Sequence, residues 1–201
     1  MYGNTGKIIV VDLTAGKIEV ESLPETDYLS YIGGSGLAAR LFWERGNIQA
    51  DPLSAEAMLI FMNGPFAGLK LSGASRSSVA GRSPLTGNWG DSSCGGYFAP
   101  ELRYAGFDGI ILTGKAERPS LLVIEDSTIR IESAEAYWGK GIESVNRDLK
   151  KKFGKTWQSH HRPRRGKPGK ICHDPERGPS CIRPGRIRGG NGIQEFKGHR
   201  G

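Results

Sequence analysis

The stretch KIIVVDLTAGKIEVESL, residues 7–23, decides the fold class of this chain. Two runs rich in β-branched residues, 7–13 and 17–23, flank the glycine-containing turn 14–16, and this pattern predicts a β-hairpin. Hairpins join antiparallel strands, whereas a doubly wound parallel sheet is built from strands that alternate with helices. We therefore predict an α+β fold in which hairpins form mixed sheets, with a few helices.

Outward from this hairpin, helical and strand patterns are interspersed. A helix through Leu102 and Tyr104 is predicted to open at Pro100, because proline lacks an N–H that the first helical turn would leave unpaired. The other predicted helices have apolar residues at helical spacing or a basic last turn, and they are residues 27–32, 37–44 and 142–153. The other predicted strands are short apolar or alternating runs at 58–62, 109–113, 121–126 and 128–133, the last two joined about Asp126-Ser127.

Charge divides the chain near Gln158. Residues 1–158 contain 17 Lys and Arg against 18 Asp and Glu, whereas residues 159–201 contain 11 against 3. All four His and two of the three Cys also lie in the second part. A well-patterned, nearly neutral segment is typical of a globular domain, so we predict a domain at 1–158 followed by a basic tail at 159–201.

The apolar runs of the sequence are too short to span a membrane. The longest, AMLIFM at 57–62, falls far short of the roughly twenty residues that cross a bilayer. The opening residues MYGNTGK lack the apolar stretch behind a basic start that a secretory signal needs. We therefore expect no membrane partner and a cytoplasmic location.

The segment SGASRSSVAGRSPLTGNWGDSSCGG, residues 72–96, is predicted to be a long functional loop. It contains six Gly and seven Ser and carries Arg76 and Arg82. Glycine lets the backbone approach a ligand, N–H groups and hydroxyls donate to anionic oxygens, and guanidinium groups are forked cationic donors. This chemistry suits a phosphate. The alternative is a solvated, flexible loop, against which the aromatic residues Trp89, Tyr97 and Phe98 argue.

Other features leave two interpretations open. The tetrapeptide Gly33-Gly34-Ser35-Gly36 would hold a phosphate at a helix N-terminus or form a tight turn between two helices. Asp91 would meet a cation through water or shape a turn. Cys94 is a small, partly buried residue or a redox or ligand residue. The aromatic residues expected in the core or on a surface covered by further domains are Phe42, Trp43 and Trp138.

Three stretches of the sequence resemble the N-terminal domain of the aldehyde ferredoxin oxidoreductase family. They are MYGNTGKIIVVDLTAGKIEVE at 1–21, GRSPLTGNWGDSSCGGYFAPEL at 81–102 and YAGFDGIILTGKAERP at 104–119. The resemblance extends to about residue 158. It implies a saddle-like α+β domain that lies beneath two pterin dithiolenes holding a tungsten ion.

The resemblance also assigns the site residues. By motif, Arg76 matches the family's pterin-contacting arginine. Ser93, Cys94, Gly95 and Gly96 match the stretch whose backbone meets the pterin phosphates and a bridging magnesium ion, the Ser93 carbonyl being the magnesium ligand. Ser93 stands where the family usually has Asn, and Ala99 stands where Gly is common. Contacts through the backbone survive both changes, whereas a contact that needs the Asn side chain does not.

The activity implied by the resemblance needs more than this chain. Family members oxidise aldehydes to carboxylic acids and pass electrons through a [4Fe-4S] cluster to ferredoxin, and full-length relatives form homo-oligomers. The cysteines that bind the cluster lie in later domains, and none of the three Cys here fits them. A second glycine-rich pterin motif is also expected after the first. We therefore expect an incomplete cofactor domain that is inactive alone.

The tail has two interpretations. Read as written, RPRRGKPGK at 162–170 and IRPGRIRGG at 182–190 resemble an Arg/Gly-rich RNA-binding arm, and the alternative function is a small basic RNA-binding protein. Its Cys and His residues lack the paired spacing of a metal site, and only Phe196 is available for base stacking. We favour an oxidoreductase domain with no nucleic-acid partner.

The second interpretation is a shifted reading frame. When the last two bases of each codon are read with the first base of the next, the codons of Lys167 into Pro168 allow only Asn or Ser, and those of Phe196 into Lys197 allow only Leu or Ser. Both positions admit the residue that the family would place there. We therefore predict that residues 159–201 are an out-of-frame, disordered tail. A gene without an open +1 frame after codon 158 would contradict this.

Overall fold

The computed structural model describes residues 3–69, 71–125 and 128–153, and beyond these only the backbone of three strands. The helices are α1 (Glu25–Tyr31), α2 (Gly34–Arg45), α3 (Phe98–Tyr104) and α4 (Ile142–Phe153), with a 3-10 turn at Glu135–Tyr137. The first eight strands are β1 (Lys7–Asp12), β2 (Lys17–Ser22), β3 (Leu59–Asn63), β4 (Ser77–Arg82), β5 (Trp89–Cys94), β6 (Gly109–Thr113), β7 (Ser120–Glu125) and β8 (Thr128–Ser133). The three described by backbone alone are β9 (Trp157–Arg164), β10 (Lys167–Cys172) and β11 (Gly192–Lys197).

Six strands form the first sheet, in the order β2-β1-β6-β3-β4-β5. The predicted opening hairpin is present, and it pairs Lys7 with Ser22 and Asp12 with Lys17. β1 and β6 are parallel, and every other neighbouring pair of this sheet is antiparallel. The predicted α+β fold with a hairpin-rich mixed sheet is therefore confirmed.

The second sheet has the order β10-β9-β11-β7-β8. β7 and β8 form the predicted second hairpin, with Ser120 paired to Ser133 and Glu125 paired to Thr128, while its turn residues lie outside the described part. β11 runs parallel to β7. The prediction of an out-of-frame, disordered tail stays a prediction, since most residues of 159–201 and all their side chains lie outside the described residues.

Apolar clusters hold the structure together in layers. The first cluster lies between one face of the first sheet, α3 and the β7–β8 hairpin, and it contains Ile9, Phe61, Leu102, Ile110 and Leu122. These side chains are almost fully buried. Removing such apolar surface from water is the main favourable term in folding, so this cluster fixes how α3 and the hairpin pack on the sheet.

The other two clusters cover the outer faces. On the opposite face of the first sheet, Ile8 and Ile60 pack against Leu41 of α2. On the other face of β7, Leu121 packs against Leu149 of α4. Neighbouring strand residues point to opposite faces, so consecutive apolar residues in β1 and β7 supply two clusters at once. The resulting order of layers is α1 with α2, first sheet, second sheet, α4.

The helix boundaries correct the predictions at three N-termini. α1 begins at Glu25 rather than at residue 27, with acidic residues in its first turn that suit the positive end of the helix. α2 begins at Gly34 rather than at residue 37. α3 begins at Phe98, so Pro100 is its third residue, where the N–H is still without an intrahelical partner and proline is tolerated. α4 has the predicted bounds.

The prediction of a long loop at 72–96 is wrong for about half of the segment, because β4 and β5 form a hairpin there. β4 has the sequence SSVAGR and is buried along most of its length between β3 and β5. Strand propensity is low in so polar a segment, yet burial and pairing on both sides override it. The exposed side chains of β5 leave a polar outer strand.

Among the described helices, the longest have 12 residues, and none combines the length and hydropathy of a membrane span.

Candidate cofactor-binding site

The end of β3, the start of β4 and the end of β5 meet at one end of the first sheet. Asn63 pairs with Ser77, and Ser77 pairs with Cys94, so the three strands end side by side. Arg76 directly precedes β4, and Gly95-Gly96 directly follows β5. The antiparallel register therefore brings together residues that are about twenty positions apart in the sequence.

Arg76 is exposed, and its guanidinium lies beside the glycines that follow β5. Its Nε is 4.0 Å from the position that a Cβ would take on Gly95. Its backbone is held on both sides, because its N–H donates to the Ala74 carbonyl (3.0 Å) and its carbonyl accepts from the Gly64 N–H (3.0 Å). Among the described residues, the guanidinium has no hydrogen bond or ion pair. It is therefore free to bind an anion.

Residues 93–96 line the other side of this surface. Ser93 is exposed and pairs with Ser78 in the β4–β5 ladder. Cys94 is buried, with its Sγ 3.2 Å from the hydroxyl of Ser77. Gly96 has a φ of 96°, in the region that favours glycine, so the chain turns sharply into α3. We call Arg76 together with residues 93–96 the cradle.

The turn between α1 and α2 packs against the same end of the sheet. Gly33 has a φ of 143°, and a Cβ there would lie 2.9 Å from the Asn63 carbonyl oxygen. A Cβ on Gly34 would lie 3.4 Å from the hydroxyl of Ser78. The tetrapeptide 33–36 therefore forms the tight turn and the first turn of α2, and its role toward a phosphate stays a prediction.

A buried carboxylate, Asp108, anchors the segments beneath the cradle. Its side chain is about 1% exposed and forms an ion pair with Arg103 of α3 (Nη1 to Oδ1, 2.5 Å). It also accepts hydrogen bonds from the N–H groups of Thr5 (2.9 Å) and Gly6 (2.7 Å) and from the hydroxyl of Tyr28 (2.7 Å). A buried charge is tolerated only when it is paired and hydrogen-bonded, and Asp108 meets that condition.

Burial changes the acidity of two partners of Asp108. Burial, and then the hydrogen bond to Asp108, raise the pKa of Tyr28 above its ordinary value, so the hydroxyl stays protonated and donates. Burial lowers the pKa of Arg103, although the charge of Asp108 opposes this shift. Arginine remains charged in proteins even so, and the ion pair is therefore intact.

Arg103 connects this buried pair to the cradle. Its Nη2 donates to the Gly64 carbonyl (3.0 Å), and the N–H of that same residue donates to the Arg76 carbonyl. Asn63 makes a second link, because its Nδ2 donates to the Ala99 carbonyl in the first turn of α3 (2.9 Å). The ends of β3 and β4 are thus tied to the helix that follows the cradle.

The remaining candidates lie elsewhere on the surface or in the core. Asp91 is exposed in β5, in register with Ala80. Phe42 is buried and packs edge-on against Trp89 (5.1 Å between ring centroids). Trp43 is exposed, which fits the predicted surface for further domains. Within the described ranges, His, Cys, Asp and Glu side chains form no group of three that would hold a metal ion.

The supporting residues Tyr28, Asn63, Arg103 and Asp108 were not predicted from the sequence. The sequence does indicate that Asp108 needs a partner. This residue directly precedes the buried apolar strand β6, where an unpaired carboxylate would be costly. Asn63 likewise ends a strand that is buried throughout. A polar residue at the border of a buried strand predicts a partner, although the sequence does not say which one.

Comparison with known proteins agrees with this architecture. A family model described as the N-terminal domain of aldehyde ferredoxin oxidoreductase matches residues 8–161. The chain therefore belongs to the aldehyde ferredoxin oxidoreductase family, and the resemblance seen in the sequence is confirmed.

Individual relatives share this region. A tungsten-containing aldehyde ferredoxin oxidoreductase of Pyrococcus furiosus is 39% identical over 77% of this chain and 26% of its own length. The WOR-like subunit of an aliphatic sulfonate oxidoreductase of the same organism is 33% identical over 76% of this chain and 26% of its own length. In the active-site complex BamBC of benzoyl coenzyme A reductase, solved with 1,5-dienoyl-CoA, a chain is 35% identical with a TM-score of 0.76, over 79% of this chain and 24% of that one. This chain thus spans about a quarter of the length of these relatives.

The cradle has the donors that a phosphorylated pterin cofactor needs. Phosphate oxygens are bound best by guanidinium groups, hydroxyls and bare backbone N–H groups. The cradle presents an exposed, unpaired guanidinium at Arg76, an exposed hydroxyl at Ser93 and two glycines with no side chain to block a ligand. The residues present therefore fit such a group.

Proposed function

We propose that this chain provides the binding platform for the tungsten bis-pterin cofactor of an aldehyde-oxidising oxidoreductase. One observation carries the proposal. The unpaired guanidinium of Arg76 lies beside Gly95 where three strands end, although the two residues are distant in sequence. When bound, the cofactor would supply the redox chemistry, in which an aldehyde and water give a carboxylic acid, two protons and two electrons.

In this proposal, the residues of the chain bind the cofactor and orient it. Arg76 donates to a pterin phosphate, and the backbone of residues 93–96 meets the phosphate oxygens, with the N–H groups of Gly95 and Gly96 beyond β5 as donors. The Ser93 carbonyl would be a ligand of the magnesium ion in this proposal. The tight turn at Gly96 and the burial of Cys94 keep the strand end fixed, so the donors are arranged before the ligand arrives.

Further parts of the proposed enzyme belong to the rest of the protein. We place the [4Fe-4S] cluster, the aldehyde pocket, the ferredoxin contact and the contacts of a homo-oligomer outside the domain at 1–158. The relatives are about three times as long as this chain, which supports that division. We accordingly propose that this polypeptide alone does not oxidise aldehydes. Purified chain that reduces a viologen dye with an aldehyde substrate would contradict this.

Substitution of the cradle arginine tests the proposed binding role. We expect Arg76→Ala to weaken binding of metal-free molybdopterin, a pterin with a terminal phosphate, by about ten- to a hundredfold, because a hydrogen bond to a charged group contributes roughly 1.5–3 kcal/mol. Binding would be measured under anaerobic conditions by quenching of tryptophan fluorescence in the full chain.

Arg118→Ala is the matched control for that experiment. Arg118 is also highly exposed, and its contact with Glu135 (3.6 Å) lies on the connection before β7, away from the cradle. We expect it to bind molybdopterin like the unaltered chain. An unaltered chain that does not bind molybdopterin, or binding that is the same in Arg76→Ala, would overturn the proposed function. RNA binding that disappears on deletion of residues 159–201 would instead favour the alternative function.

A further inference from the structure

Arg103 contacts two structural units at once. On one side its Nη1 forms the ion pair with Asp108, and on the other its Nη2 donates to the Gly64 carbonyl at 3.0 Å. The side chain is about 10% exposed, so both contacts are shielded from water. A planar guanidinium holds two such partners in one fixed geometry.

The orientation of Arg103 is set by Asp108. The Oδ1 and Oδ2 atoms of Asp108 are themselves held by the N–H groups of Thr5 and Gly6 and by the hydroxyl of Tyr28. These donors come from two separate parts of the chain, the segment before β1 and α1. The carboxylate cannot rotate without breaking several hydrogen bonds, so the guanidinium paired with it is also fixed.

The backbone hydrogen bonds of Gly64 connect Arg103 to the cradle. Its carbonyl accepts from Arg103, while its N–H donates to the carbonyl of Arg76 at 3.0 Å. Arg103 belongs to α3, which begins directly after Gly96 and Tyr97. The side chain of Arg103 therefore connects the two halves of the cradle, because one half precedes β4 and the other leads into α3.

We propose that Arg103 is a positioning residue for the cofactor site, which fixes the Gly64 peptide and, through it, the backbone of Arg76 relative to α3. The proposal rests on the proposed function, because the guanidinium that it positions is the one assigned to the pterin phosphate. Arg103 itself does not touch the ligand in this proposal.

Arg103→Lys tests this directly. A lysine keeps the charge opposite Asp108, but a single ammonium on a flexible stem does not hold Asp108 and Gly64 in the fixed geometry of the guanidinium fork. It also removes the Nε–H of Arg103, which is buried without a partner among the described residues. We expect a folded chain in which molybdopterin binding is weakened about tenfold, the lower end of the loss seen when an outer partner of a metal ligand is removed.

Hydrogen exchange provides a readout that does not depend on the cofactor. In Arg103→Lys we expect the Gly64 amide, which is bonded to the Arg76 carbonyl, to exchange faster relative to the global unfolding rate. Arg130→Lys is the matched control, because it is the same replacement at an arginine that pairs with Glu125 and Glu132 on the β7–β8 hairpin, and it leaves the Arg103–Gly64 contact in place. We expect it to leave both molybdopterin affinity and the relative protection of the Gly64 amide unchanged.

The outcomes separate the two proposals. An unaltered chain that fails to bind molybdopterin overturns the proposed function, whereas the exchange of the Gly64 amide still tests the role of Arg103. Unchanged affinity and unchanged protection in Arg103→Lys overturn the positioning role alone. Should Arg103→Lys fail to fold, native-state hydrogen exchange of the unaltered chain tests the positioning role instead. The Gly64 amide and the α3 amides then open as one unit if Arg103 couples them, and separate opening contradicts the proposal.

Discussion

Asp108→Asn is expected to destabilise the chain by about 3–5 kcal/mol, the cost of removing one partner from a buried ion pair. The amide has no charge to balance Arg103, whose side chain remains about 10% exposed. It also brings two N–H donors to a position where the backbone N–H groups of Thr5 and Gly6 already donate. Urea unfolding of the full chain would measure the loss. Small domains have a free energy of unfolding of only about 5–15 kcal/mol, so this loss would remove a large part of the stability of the fold.

Asp148→Asn is the control for that substitution. Asp148 also forms an ion pair, with Lys140 at 2.9 Å, but both side chains are partly exposed and the pair lies at the surface near α4. Surface pairs contribute little to stability, so we expect its unfolding midpoint to match that of the unaltered chain. An Asp108→Asn midpoint as high as that of Asp148→Asn would show that the buried network does not stabilise the fold.

Leu102→Ala is expected to cost about 2–5 kcal/mol of unfolding free energy, as for other fully buried leucines. Leu102 is 0% exposed and lies in the cluster between the two sheets. It directly precedes Arg103 on α3, so the cavity left by the substitution also loosens the helix that follows the cradle. Chemical unfolding followed by circular dichroism would measure the effect.

Leu29→Ala serves as the matched control for Leu102→Ala. The same atoms are removed from α1, but the Leu29 side chain is 77% exposed and leaves no cavity. We expect its free energy of unfolding to be close to that of the unaltered chain. Equal losses in the two variants would mean that the cluster around α3 is not packed as described.

Much of the fold could be predicted because burial leaves a periodic signal. The opening hairpin and the helix Ile142–Phe153 carry apolar residues at the spacing of their structure, and β3 is visible as a short continuous apolar run. The hairpin of β4 and β5 could not be predicted in this way. Half of the residues in its strands are Ser or Gly, and they are strands because β3 offers an edge on which to pair.

The site was predictable in part, and for a different reason. Arg76 and residues 93–96 were assigned by resemblance of motifs, and the structure brings Arg76 beside Gly95. The pairing of Arg103 with Asp108 follows from the packing of α3 beside β6, and no spacing rule in the sequence reveals it. Long-range ion pairs depend on how elements pack, so only coordinates identify the partner.

The burial of Cys94 makes this residue an internal reporter. Its sulfur is shielded by the hairpin and touches the hydroxyl of Ser77, so thiol-modifying reagents gain access only when the strand end lifts away. The rate of labelling at Cys94 can be followed by mass spectrometry of the peptide that contains it. This rate therefore measures how often the end of β5 opens.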